Sequence, residues 1–254
     1  AKIYTPFINF NFRENSNLRE NKLNSLNARY LKISNNGDTN ITPEYQVFNL
    51  KYISLKSGVI NHKKWFIDYQ LSKKFSKISF SYEFRKLFKN NRELNIRLFS
   101  GYFINNKNIN NDYFDFSLDR PTDYLYDYNY YGRSENNGFF SQQIIMAEGG
   151  FKSKLASSST NNFISTINLS STLWKNLLIY IDLGVLNTKT NKSFKMVYDS
   201  GVRLNIIADY FEIYFPIKSS NGFEIKDPNY NEKIRFLFTF EPDVLLGLFR
   251  RKWY

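Results

Sequence analysis

The chain of 254 residues is 19% aromatic, with 25 Phe and 19 Tyr, and carries a formal net charge of +12 from 35 Lys and Arg against 23 Asp and Glu. One His and no Cys exclude a zinc hydrolase centre, which needs several such ligands, and no apolar run of about 18 residues exists for a helical membrane span. Neither point excludes a β-barrel, in which only alternate residues meet lipid.

Aromatic and β-branched residues suit pleated sheets, and the pattern along the chain is one of strands. Residues 3–12, 24–34, 45–56 and 64–71 alternate weakly between apolar and polar. Residues 77–85, KISFSYEFR, alternate strictly: Ile78, Phe80, Tyr82 and Phe84 on one face, Ser79, Ser81, Glu83 and Arg85 on the other. In 94–104, Leu94, Ile96, Leu98, Tyr102 and Ile104 oppose Asn95, Arg97, Phe99 and Gly101.

Residues 105–139 break the rhythm with a long stretch rich in Tyr, Asp and Arg. It reads as a plug folded into a polar lumen, as a segment on the periplasmic side, or as missed strands with 112–119 the candidate. Weak alternation resumes at 140–152 and 161–170. It becomes strict at 174–187 (Ile179, Ile181 against Asp182), 194–206 (Val202, Leu204 against Asp199, Arg203), 208–217 (Phe211, Phe215 against Glu212) and 232–240 (Phe236, Phe238 against Arg235).

These segments amount to about twelve strands, many near the ~10 residues that a tilted strand needs to cross a bilayer. Short links at 72–74, 171–172 and 208–209 contrast with longer ones at 13–22, 152–161, 187–192 and 218–231, as in outer-membrane barrels. Strand parity places 105–139 at the short-link end. The expected fold is an all-β, antiparallel transmembrane β-barrel over residues 1–240. A short amphipathic periplasmic tail follows at 241–254, where Pro242 ends the strand and Arg250-Arg251-Lys252 and Trp253-Tyr254 suit a membrane interface. Phe80, Phe84, Ile179, Ile181, Phe211, Phe215, Phe236 and Phe238 are expected to face lipid. Glu83, Arg85, Arg97, Asp182, Asp199, Arg203, Glu212 and Arg235 form the expected lumen network.

Catalytic motifs are lacking. HExxH, GxGxxG, the P-loop and GxSxG do not occur, and His62 is read as a solvated loop residue. The carboxylate pairs Asp119/Asp123 and Asp123/Asp127 lack EF-hand spacing and suit ion pairing better than calcium. Gly149-Gly150 in MAEGGF suits a bulge or close packing. No metal, cofactor or catalytic residue is therefore expected. The basic residues are scattered, with Lys63-Lys64, Lys73-Lys74 and 250–252 the only short clusters, a distribution that fits anionic headgroups better than nucleic acid. No secretory leader is visible at Ala1, so the chain is read as cytosolic, already processed or cut from something longer.

The stretches DRPTDYLYDYNYYGRSE (119–135), SQQIIMAEGGFKSKL (141–155), FKMVYDSGVRLN (194–205), DYFEIYFPI (209–217) and YNEKIRFLFTFEPDVLLGLFRRKWY (230–254) resemble the C-terminal region of large Bacteroidota proteins with an upstream gluzincin, aminopeptidase-N-like metallopeptidase domain. The likeness runs from about Arg97 to the end. It implies the membrane-embedded end of a protease-like protein of the bacterial outer membrane, without the zinc-binding helix. The expected function is a membrane anchor or scaffold for such a domain or for an outer-membrane complex, in contact with lipid and a protein partner. Two rivals are a channel or transporter gated by 105–139 and a soluble β-sandwich binding module. An enzyme acting through His62 is the remotest reading.

Overall fold

The computed structural model describes residues 2–13, 20–34, 44–58, 60–107, 112–128, 130–131, 138–156, 158–207 and 210–239. The fold is all-β and antiparallel, with only short 3-10 turns besides strands among the described residues. The strands are β1 (Lys2–Tyr4), β2 (Phe7–Arg13), β3 (Glu20–Ser34), β4 (Tyr45–Gly58), β5 (Asn61–Ser72), β6 (Phe75–Leu87), β7 (Glu93–Asn106), β8 (Phe116–Ser117), β9 (Ser159–Thr160), β10 (Phe163–Trp174), β11 (Leu177–Asn187), β12 (Lys195–Ile207), β13 (Phe211–Ser219), β14 (Gly222–Phe223) and β15 (Arg235–Phe238).

Thirteen of these fifteen strands form one continuous sheet. Strands β1 and β2 share one edge position on β3, the order then runs β3-β4-β5-β6-β7-β10-β11-β12-β13, and β14 and β15 pair with opposite ends of β13. The edges β2 and β15 do not pair with each other among the described residues. Because every neighbouring pair is antiparallel, β2 and β15 run in the same direction.

The sheet has two unlike faces. Inward residues from β3 to β12, including Leu31, Val47, Phe75, Phe103, Ile164 and Val197, share one buried cluster with Phe114, Phe116, Leu118, Tyr124 and Phe151 of the β7–β10 connection. Residues this far apart in strand order can share a core only if the sheet curls around the connection. The outward face carries exposed Ile67, Phe80, Leu98, Ile179, Ile181 and Leu183.

Four expectations from sequence change here. Residues 140–152 are not a strand: Glu148 and Gly150 adopt positive φ (45° and 68°), and Gly149 N–H donates to Ser117 O at 3.0 Å. Removing that strand alters the parity. The chain passes from β2 to β3, β4 to β5, β6 to β7, β10 to β11 and β12 to β13 at one end of the sheet, and from β3 to β4, β5 to β6, β7 to β10, β11 to β12 and β13 to β14 at the other. The β7–β10 connection thus belongs to the end with the longer connections. The β10–β11 link lies at 175–176, with Lys175 at φ 45°, and not at 171–172, because β10 runs on to Trp174. Within 112–119 only Phe116–Ser117 is extended, and it pairs with Ser159–Thr160 rather than with the main sheet. The tail 241–254 lies outside the described residues.

Candidate functional site: the interior polar network

Residues 148–153 reach the inward side of five strands. Lys152, buried with its whole side chain, places Nζ 2.9 Å from both carboxylate oxygens of Asp182 on β11. Asn168 Nδ2 on β10 donates to the same Asp182 at 2.9 Å and to Gly149 O at 3.0 Å. Arg97 Nη1 on β7 donates to Glu148 O at 2.6 Å and to Asn168 Oδ1 at 3.0 Å. On β12, Asp199 accepts the N–H groups of Lys152 (2.8 Å) and Ser153 (2.7 Å) and the Ser153 hydroxyl (3.0 Å). Arg235 Nε on β15 donates to Lys152 O at 3.2 Å. An irregular segment buried in a protein must have its backbone groups satisfied. Here charged and amide side chains from the strands supply the partners that a neighbouring strand would otherwise give. Gly149 is required by space: a Cβ there would sit 2.5 Å from the Leu118 backbone.

A second anchorage lies toward the long-connection end. Lys77 on β6 is fully buried and donates from Nζ to Phe114 O at 2.8 Å. Its ammonium lies over the rings of Phe116 (4.2 Å), Tyr124 (5.0 Å), Phe103 (5.2 Å) and Phe75 (5.8 Å). Ring faces carry negative charge, so this box compensates a desolvated cation that pairs with no carboxylate among the described residues. Nearby, Glu148 accepts the Ser117 N–H at 2.6 Å. Burial pushes the Glu148 carboxyl above the usual carboxylate range, opposed by Lys77, the Ser117 N–H and Arg97. Farther along the segment, Arg29 on β3 pairs with Asp127 at 2.6 and 2.8 Å, and Asp123 accepts the N–H groups of Asp127 and Tyr128 at 2.7 and 3.0 Å. The carboxylates considered for calcium at 123 and 127 are thus engaged within the chain.

At the short-connection end the interior opens into a cavity of 650 Å³. Arg203 pairs there with Glu93 and lies 3.6 Å from Glu212, which accepts the Tyr214 hydroxyl, while Glu83 lies 3.7 Å from Arg97 Nε. Half-buried Arg85 lines the same cavity. A second cavity of 480 Å³ adjoins it, with Lys64, Glu83, Arg97, Asp127, Tyr128 and Met146 in both walls.

The eight residues read from sequence as a lumen network therefore divide. Arg97, Asp182, Asp199 and Arg235 converge on 148–153, and Glu83, Arg85, Arg203 and Glu212 surround the open cavity. Of the residues read as lipid-facing, Phe80, Ile179 and Ile181 are exposed and Phe84, Phe211, Phe215 and Phe238 are half-buried. Phe236 is the correction. It shares the outward face, opposite Ile213, but is only 8% exposed because Phe139 stacks on it at 4.7 Å. His62 is also corrected: it belongs to β5, not to a loop, with Nδ1 3.3 Å from Ser57 Oγ.

Sequence reasoning missed Lys77, Lys152, Asn168 and Glu148. The Gly149-Gly150 pair was the one signal of close packing at that place. Comparison with protein-family models and with curated proteins finds no match for the chain.

Proposed function

We propose that the curled sheet is the wall of an outer-membrane β-barrel that anchors a protein partner, with residues 112–128 and 144–155 as its internal plug. The observation that supports this most is the exposed apolar outward face. Apolar side chains stand exposed on the outward face along β6, β7 and β11, while fully buried Asp182, Asp199 and Lys152 lie inside. A water-soluble sheet would place its apolar face inward, whereas lipid makes the outward apolar face favourable.

A membrane wall leaves no open strand edge in hydrocarbon. Since β2 and β15 run in the same direction, antiparallel closure takes one further strand between them, which would make about twelve positions around the wall. In this reading the short connections face the periplasm and the longer ones the exterior. The chain itself performs no catalysis. It holds an upstream protease-like domain of the gluzincin type, or an outer-membrane complex, at the surface of a Bacteroidota-type cell envelope, as the resemblance noted above implies.

The test is gel mobility before and after heating of protein extracted in mild detergent. A faster unheated band, together with a requirement for detergent, is expected. Solubility in plain buffer without a mobility shift would sink the anchor and favour a soluble binding module. The adjoining 650 and 480 Å³ cavities favour a second reading, a channel gated by the plug. Steady conductance of the intact protein in planar bilayers would select it over a closed anchor.

A further inference from the structure

The outward surface at the long-connection end of β12–β14 holds two cations on one ring. Lys218 and Phe223 are cross-strand partners in the β13–β14 hairpin, and Lys226 lies in the following 3-10 turn, Glu224–Lys226. Their ammonium nitrogens sit 5.1 and 5.0 Å from the Phe223 ring centroid. Two like charges gathered on one side chain repel each other unless an anion compensates them.

The nearby carboxylates do not serve. Glu224 is buried, accepts the Ser219 hydroxyl and lies 3.4 Å from Lys233, while Asp227 lies 3.3 Å from Lys233 and accepts the Asn229 N–H at 2.9 Å. Among the described residues, neither Lys218 nor Lys226 forms an ion pair. The same end of β12–β14 also exposes apolar side chains, with Met196 80% and Phe223 52% exposed and Ile217 and Ile225 exposed as well.

We propose that Lys218, Lys226 and Phe223 form a binding site for the phosphate of an anionic lipid headgroup, with its acyl chains on Met196, Ile217 and Ile225. The site rests on the barrel reading and adds to it a specific lipid contact in the leaflet at the long-connection end. Long lysine stems lie along apolar surface while their charged heads reach the headgroup layer, and each such charge adds to the attraction. A phosphate bridging both ammonium groups removes their mutual repulsion.

The test is native mass spectrometry of the full chain in neutral detergent, titrated with phosphatidylglycerol and, separately, phosphatidylcholine. The wild type is expected to retain phosphatidylglycerol selectively, and K218Q/K226Q to retain it about tenfold less, given the contribution of two surface lysines. Phosphatidylcholine retention should be equal in both. K73Q/K74Q, which removes the same charge from the β5–β6 turn at the same end, should behave as wild type. An equal loss in K73Q/K74Q would overturn the site in favour of diffuse charge, and competition by millimolar inorganic phosphate as strong as by lipid would overturn the lipid assignment. Heat-modifiable mobility is recorded first on every variant. A missing shift in the wild type sinks the barrel reading, whereas a normal shift with unselective lipid retention sinks this site alone.

Discussion

The two faces of β11 solve opposite problems within one strand. Outward Ile181 is 46% exposed, whereas its inward neighbour Asp182 is 0% exposed. The outward residue needs only an apolar surrounding, so many side chains suffice there. The inward carboxylate needs a partner of defined position, and Lys152 arrives from 30 residues away to supply it. Tolerance on one face and exact complementarity on the other follow from the range of the forces: dispersion and transfer scale with area, whereas a buried charge depends on individual contacts.

Removing the partner should have the largest effect. Lys152→Met leaves Asp182 buried with Asn168 as its one donor among the described residues and should cost about 3–5 kcal/mol of stability, read from the midpoint of heat-modifiable mobility. Adding Asp182→Asn should restore much of that loss. If the double variant is no more stable than the single one, Lys152 acts through packing and not through its charge.

Charging the outward face comes next. Ile181→Arg should cost about 2–4 kcal/mol in a bilayer if this position lies near the midplane. Equal folding yields of variant and wild type in lipid vesicles would place Ile181 in water and reverse the meaning of the exposed stripe.

The smallest effect sharpens the inward side. Burial raises the Glu148 carboxyl, so its contribution to stability is full below the unfolded value and is lost as pH rises through the folded value. Glu148→Gln keeps an acceptor for the Ser117 N–H and removes the titration. The stability of the wild type relative to this variant should therefore fall as pH rises from about 4 toward neutrality. A difference that stays flat over that range would mean the carboxyl titrates normally.

Much of the sheet was legible because a strand records its two environments at every second residue. The alternations at 77–85, 94–104, 174–187 and 194–206 correspond to β6, β7, β11 and β12. The same rule misread 140–152, where Ile144 and Met146 alternate by chance and the glycines decide for a turn-rich path. Phe236 followed the rule in direction but not in exposure, since Phe139 covers it from a distant part of the chain.

By itself the sequence determined the strands, which side of each is polar, and the absence of an apolar helical span, because these are local properties of spacing and composition. Only the tertiary structure decided that residues 112–128 and 144–155 pack inside the curled sheet, that Lys77 enters an aromatic box and that Lys152 meets Asp182. Those contacts join residues tens of positions apart, and a lysine in sequence bears no mark of whether it will be solvated or enclosed.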